Sequence, residues 1–265
     1  MASEDNAAAG SGSADGQDSL MPLMEHLGEL RKRIVYVLIV LLLALIGGLF
    51  AADPAYHYLT TREPANTMTL HAFSLWDGIG IYMKFAIVIG LIPTIPFAAY
   101  QLWAFVKPAL RKHEQRATLK YIPFALIMFL IGLSFSYLVV FPLAFNFTRH
   151  VSSQLQLEET YGITQYFSFM FSIVIPIALL FELPLAIMFL TAIRVLNPLR
   201  LRKMRRLAYF ILIAIGVIVT PPDFISDSLV AIPLILLYEL SVFMSRMIYR
   251  KQVAADQQWE NEYAT

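Results

Sequence analysis

The sequence predicts an all-α polytopic membrane protein with six transmembrane helices, short fifth and sixth spans, and both termini in the cytoplasm. Three observations predict it. The 265 residues are 58% hydrophobic and only 15% charged. Charges are absent from Ile34–Ala52, Phe85–Val106, Tyr121–Thr148 and Thr160–Phe181, runs that each approach the ~20 apolar residues a membrane-crossing helix needs. Inside a bilayer only a helix satisfies its own backbone hydrogen bonds, because lone strands and open sheet edges leave theirs unmet.

The same composition excludes several classes. A chain this apolar is not disordered as a whole. Twenty basic against 19 acidic residues provide no surplus for neutralising phosphates, so nucleic acid is not an expected partner. With no cysteine, disulfides, thiolate metal sites and cysteine nucleophiles are ruled out.

Residues 1–20 are rich in Ala, Gly, Ser and Asp and offer little to bury, so they read as a disordered cytoplasmic tail. Their acidic start does not fit a signal peptide. From Pro22 an amphipathic lead-in helix begins, with Leu23, Leu27, Leu30 and Ile34 on one face. Six spans follow at about 34–52, 79–106, 121–141, 165–193, 207–220 and 228–245, within a domain of 21–250. Residues 251–265 read as a solvated cytoplasmic tail. Span five is ~14 residues, about 21 Å at 1.5 Å per residue, against a hydrocarbon core of about 30 Å. A hairpin that short should thin the surrounding lipid. Span four is long and carries Pro176 and Pro184, which free the carbonyls of Ser172 and Leu180 and allow kinks. No internal repeat is visible, which counts against an inverted-repeat transporter.

Orientation follows from Lys and Arg. Seventeen of the twenty lie on one set of flanks: 31–33, 107–120, 194–206 and 246–251. The opposite loops hold Arg62 and Arg149, and Lys84 is expected to snorkel to the outer headgroups. By the positive-inside rule both termini face the cytoplasm.

Catalytic signatures are missing. His113-Glu114 does not continue into a zinc-binding HExxH, and no glycine-rich nucleotide loop occurs. Gly132-Leu133-Ser134 lacks the closing glycine of a nucleophile elbow and reads instead as close helix packing. The chain is therefore expected to be no enzyme, with no cofactor and no metal.

Four carboxylates remain to be placed. Glu182 interrupts span four about 17 Å from Arg194, near mid-membrane, and must face protein or water rather than lipid. It is either a polar site in a cavity or a carboxyl bonded between helices. Glu239 lies seven residues before Arg246 and is expected to snorkel or to pair with a cation. Glu29 and Glu114 sit in basic surroundings, Gly-Glu-Leu-Arg-Lys-Arg and Arg-Lys-His-Glu-Gln-Arg. Each could pair locally, Glu29 with Arg33 at i,i+4. Together they could instead accept guanidinium groups of a ligand, which arginine satisfies bidentately and lysine cannot. Thr220-Pro221-Pro222-Asp223 ends span five, and Ser226 or Asp227 can cap span six.

Taken in order, five segments resemble a known family: His-Leu-Gly-Glu-Leu-Arg-Lys-Arg before span one, Trp-Ala-Phe-Val-Lys-Pro-Ala-Leu-Arg-Lys-His-Glu after span two, Phe-Pro-Leu-Ala-Phe after span three, Phe-Glu-Leu-Pro-Leu-Ala in span four and Thr-Pro-Pro-Asp after span five. The chain resembles the TatC subunit of the twin-arginine protein translocase from about Pro22 to Arg250. The resemblance implies a receptor in the bacterial inner membrane that binds twin-arginine signal peptides of folded cargo at the cytoplasmic face. It also implies recruitment of single-span TatA and TatB, export driven by the proton-motive force, and self-association in a multimeric complex. By matching motifs it assigns signal-peptide binding to Glu29, Glu114, Trp103 and Phe105, an intramembrane polar site to Glu182, and partner docking to Thr220 and Asp227. Asp227 stands where some relatives are expected to carry Gln. An ion-coupled small-molecule transporter using Glu182 is the rival reading.

Overall fold

A computed structural model describes residues 14–109, 115, 119, 121–220 and 224–263. Helix α1 runs Ala14–Thr60 and α2 runs Asp77–Val106. The third segment comprises α3, Tyr121–Phe135, a π-helical turn Ser136–Val140, and α4, Phe141–Gln154. The fourth comprises α5, Ile163–Leu180, and α6, Leu183–Ala192. A short α7, Pro198–Lys203, leads to α8, Arg205–Val219, and to α9, Phe224–Tyr263. Between helices at the end opposite the basic flanks, β1 (Leu70–His71) and β2 (Tyr161–Gly162) form a two-residue parallel pair.

Five segments are long and apolar enough to cross a membrane: Gly28–Thr60, Asp77–Val106, Ile122–Gln154, Ile163–Ala192 and Asp227–Ala254. The protein is a polytopic helical membrane protein. Helix α8, with 15 residues, reaches only about 22 Å and is not one of the five, whereas the sixth span, also expected to be short, is the membrane-length stretch Asp227–Ala254. Helix α9 does not stop at 245: its 40 residues continue to Tyr263, so the stretch expected as a loose tail is helical. Charge ends a hydrophobic run but not a helix, and Arg250–Gln258 contains neither Gly nor Pro. Helix α1 likewise extends into the expected N-terminal tail, starting at Ala14.

Irregularities coincide with prolines. Pro142 follows the π turn at the start of α4, and the extra residue in that turn accommodates a ring lacking an N–H. Pro184 sits in the first turn of α6, and the chain leaves helical geometry at Phe181–Glu182. Pro176 is carried inside α5 without a break.

Between apolar helices in lipid there is little hydrophobic gain on contact, so close backbone approach and polar ties hold the bundle. Helices α1 and α2 meet through Ala44 and Gly48 against Ala86 and Gly90. A Cβ on Gly48 would lie 2.5 Å from the Ala86 carbonyl oxygen, and one on Gly90 would lie 3.3 Å from Ala44 C. Both pairs are four residues apart, a reciprocal small-xxx-small seam. Gly48→Val should destabilise the fold by about 1–3 kcal/mol by overpacking, checked as a loss of thermal stability in detergent. An unchanged midpoint would show that α1 can shift freely off α2. Gly132 packs equally close, with a Cβ 2.8 Å from Phe181 Cβ and 2.9 Å from Ala178 Cα. It is Gly132 that packs closely in this segment; Ser134 is exposed, and its Oγ donates back to the Leu130 carbonyl of its own helix at 2.8 Å.

Toward the end opposite the basic flanks the core is aromatic. Phe85 meets Phe167 and Phe171 edge-on at 5.1 and 5.2 Å, and Tyr166 meets Phe141 and Phe145 at 5.7 Å, pairs each worth about 0.5–1.5 kcal/mol beyond packing. Lys84 Nζ donates to Ser168 Oγ, so this cation is tied across to α5 instead of snorkelling to headgroups. Asp77 accepts from the backbone N–H groups of Phe73 and Ser74 at 2.8 and 2.9 Å and closes the turn into α2. Near it the Tyr161 phenol is pushed up to about 12, first by burial and then by Glu159. At the basic end α9 is tied to α6 and α7: Thr191 and Ser245 share a hydroxyl bond of 2.7 Å, and Tyr238 donates to the Leu201 carbonyl at 2.8 Å.

Candidate functional site

The basic end of α1 carries Glu29 one turn before Arg33. Arg33 donates to Glu29 Oε1 from both Nε, at 3.2 Å, and Nη2, and from Nη1 to Gln101 Oε1 at 3.4 Å. The i,i+4 pairing expected from sequence is thus present, and Gln101 adds a tie to α2. The Glu29 side chain stays 37% exposed, a carboxylate positioned by one arginine and still open to water. Glu114 lies outside the described residues.

Beside this pair, α1 and α2 enclose an apolar groove of about 190 Å³ lined by Leu30, Ile34, Leu38, Leu102 and Phe105. Phe105 therefore faces the Glu29 side. Trp103 lies elsewhere: it is 9% exposed and packs with Val106 and Phe189. Its Nε1 donates to the Gln115 carbonyl at 3.2 Å, its ring stacks on Tyr100 at 5.9 Å, and Lys107 Nζ lies 5.2 Å over it. Trp103 is a packed residue with one face on a second cavity.

That second cavity, about 370 Å³, lies on the other flank of α2 and is lined by Ile95, Leu102, Trp103, Ile122, Glu182 and Phe189, among others. Glu182 occupies the residue before α6, where Pro184 has broken the helix, and it accepts no capping bond there. Both carboxyl oxygens are buried, and among the described residues neither has a hydrogen-bond partner. Of the two openings in the sequence reading, the carboxyl in a cavity is the one observed. The positive end of the α6 dipole partly offsets the cost of placing a carboxyl there. The two cavities share Ala98 and Leu102 as a common wall. Sequence reasoning missed both residues; the small Ala98-Ala99 step in α2 was the available signal.

Glu239 and Asp227 both have partners. Glu239 accepts from Arg205 Nη2 at 2.7 Å and from the Tyr209 hydroxyl, which settles it as a partner of a cation. Glu239→Ala should cost about 1–2 kcal/mol, because the pair is only partly buried. A thermal midpoint unmoved by this change would mean the bridge contributes nothing. Thr220 donates to Asp227 Oδ1 at 2.7 Å and to the Gly216 carbonyl at 2.8 Å. These two residues therefore meet each other across the α8–α9 turn, with Thr220 buried.

Comparison with known proteins identifies the family. Residues 25–233 match the family described as Sec-independent protein translocase protein (TatC). The chain is 42% identical over 231 residues to the Sec-independent protein translocase protein TatCy of Bacillus subtilis (strain 168), spanning 87% of this chain and 91% of that one. It is 32% identical over 237 residues to the TatC protein of Escherichia coli (strain K12), spanning 88% and 92%. A solved structure titled as the crystal structure of the twin arginine translocase receptor TatC is 30% identical, with a TM-score of 0.70 over 84% of this chain and 99% of that one. The family match runs from the basic end of α1 through α2 and on to Pro233 in the first turns of α9, and on it this chain belongs to the TatC family of protein translocase components.

Proposed function

We propose that this chain is the receptor core of a twin-arginine translocase in a bacterial inner membrane. In this reading residues 21–250 form the six-span translocase domain, with both termini and the basic loops in the cytoplasm. Glu29 and Glu114 accept the paired arginines of a signal peptide, and the groove bearing Phe105 takes apolar residues next to them. The observation that carries the proposal is the juxtaposition of a half-exposed carboxylate and an apolar groove at the basic end of α1 and α2. A twin-arginine signal joins the same two chemistries, guanidinium groups followed by an apolar run. Trp103 supports the site from the neighbouring cavity by fixing the end of α2.

Glu182 then lies one shared wall deeper, where a signal or a partner helix entering the membrane would meet a polar group. TatA and TatB dock along α8 and α9 near Thr220 and Asp227, and several copies of this chain assemble in the receptor. The short α8 thins the lipid beside it, and the proton-motive force drives export.

The direct test places a photo-crosslinker at Phe105 and compares signal peptides carrying Arg-Arg with peptides carrying Lys-Lys. Labelling should favour Arg-Arg about tenfold or more, since only guanidinium binds carboxylate as a fork. Equal labelling of the two peptides would remove the recognition claim.

A further inference from the structure

The connection that leads into α2 is apolar where a loop in water would be polar: Ala65–Trp76 contains no Asp, Glu, Lys or Arg. Its last residues, Phe73-Ser74-Leu75-Trp76, form a turn fixed by hydrogen bonds. Besides the two bonds to the Asp77 carboxylate, Asp77 N–H donates to the Ser74 carbonyl at 3.1 Å and Gly80 N–H to the Trp76 carbonyl at 2.9 Å. Phe73 braces the turn from the side, since a Cβ on Gly162, just before α5, would lie 2.7 Å from Phe73 Cε2. Yet this fixed turn directs its apolar side chains away from the bundle. Leu75 is 99% exposed, Trp76 74% and Phe73 62%, and an exposed apolar patch of this kind marks a contact surface.

Trp76 is also the first rung of a longer strip. Its backbone is already helical, at φ −86° and ψ −7°, and Ile79, Met83 and Ile87 follow at spacings of three, four and four, all of them exposed. The strip therefore runs from the turn down one face of α2 into the membrane-crossing segment Asp77–Val106. Depth agrees with this continuity. The 30 residues of α2 rise at most about 45 Å, and its other end meets the basic flank at Lys107. A bilayer measures about 40–45 Å from one headgroup region to the other, so with Lys107 in one headgroup layer the turn lies in the opposite one.

We propose that the turn Phe73–Trp76 is an interfacial anchor that docks on lipid in the leaflet opposite the basic flanks. Leu75 and Phe73 rest against the upper acyl chains, and the Trp76 indole sits among the headgroups, where a ring with an apolar body and a polar N–H is best placed. Ile79, Met83 and Ile87 already face acyl chains, and a surface continuous with theirs shares their partner. The turn carries no charge that would select an ionic partner. This inference makes no use of the signal-peptide reading and stands or falls without it.

The chain has no cysteine, so a nitroxide label can be attached at a single introduced site in the full-length protein. The test follows labelled Leu75→Cys in nanodiscs of phosphatidylcholine and phosphatidylglycerol by electron paramagnetic resonance. Oxygen, which enters lipid, and a water-soluble nickel chelate serve as competing relaxing agents. The ratio of oxygen to nickel collisions at Leu75 should exceed, several-fold, that at Glu158→Cys, an exposed position in the loop between α4 and β2. Adding Trp76→Ser should move the Leu75 label toward nickel, because the ring that holds the turn at the interface is lost. Both changes remove largely exposed side chains and should keep the thermal midpoint in detergent. Equal ratios at Leu75 and Glu158 would overturn the anchor, as would a Leu75 label unmoved by Trp76→Ser. Dipolar broadening of the Leu75 label that vanishes on dilution with unlabelled protein would give the turn to a second copy of the chain and overturn the lipid assignment.

Discussion

Glu29→Ala should weaken capture of an Arg-Arg signal peptide by about ten- to a hundredfold, because a charge-assisted guanidinium–carboxylate bond contributes about 1.5–3 kcal/mol. The fold should barely respond. The i,i+4 contacts to Arg33 that are lost are worth about 0.3–0.5 kcal/mol, and Arg33 keeps Gln101. Affinity and stability therefore separate, which a contact serving only the helix would not allow. Raising salt should weaken binding to the wild type more than to the variant, since a partly exposed pair is screened. The measurement is fluorescence titration of a labelled peptide against protein in detergent, with Glu114→Ala as the companion variant. Wild-type affinity in both variants would end the assignment of the acidic pair.

Glu182→Leu should raise stability and abolish translocation. In the apolar cavity its carboxyl is buried without a partner among the described residues, a state that costs about 1–3 kcal/mol relative to a packed apolar side chain. Replacing it extends the lining formed by Ile95, Leu102 and Phe189 and should raise the thermal midpoint. A group kept at such a cost has a use in the membrane, and the proposed use is to meet a polar group on an entering helix. Glu182→Gln, which retains hydrogen bonding, should keep part of the activity. Full export by Glu182→Leu would return the residue to a purely structural role. Uptake of a small solute, lost in Glu182→Gln, would instead favour the ion-coupled transporter.

The residues legible from sequence were those whose environment is set along one helix. Pro184 signalled the break before Glu182 because a proline ring removes a donor wherever its helix packs. Glu239 in an apolar segment had to find a cation, and Arg205 is one. Glu29 and Arg33 lie one turn apart, and their pairing needs no neighbour. Helix ends were less legible. Hydropathy marks where lipid ends, whereas α1 and α9 run on into polar sequence, since backbone hydrogen bonds persist in water once a helix is established.

The pair Trp103 and Phe105 marks the boundary. The family resemblance placed them together in one recognition region, but two residues apart on a helix turns side chains to different faces, and the structure puts them in separate cavities. Ala44, Gly48, Ala86 and Gly90 looked unremarkable until α1 and α2 were seen to meet there. The sequence by itself determined the helical membrane class, the orientation signal in its basic flanks and the break at Glu182, because hydropathy, charge and proline act locally. Only the tertiary structure decided which helix faces which, and so the reciprocal seam of α1 and α2 and the shared wall between the two grooves. Those features arise from close approach between segments distant in the chain, and no local pattern encodes that distance.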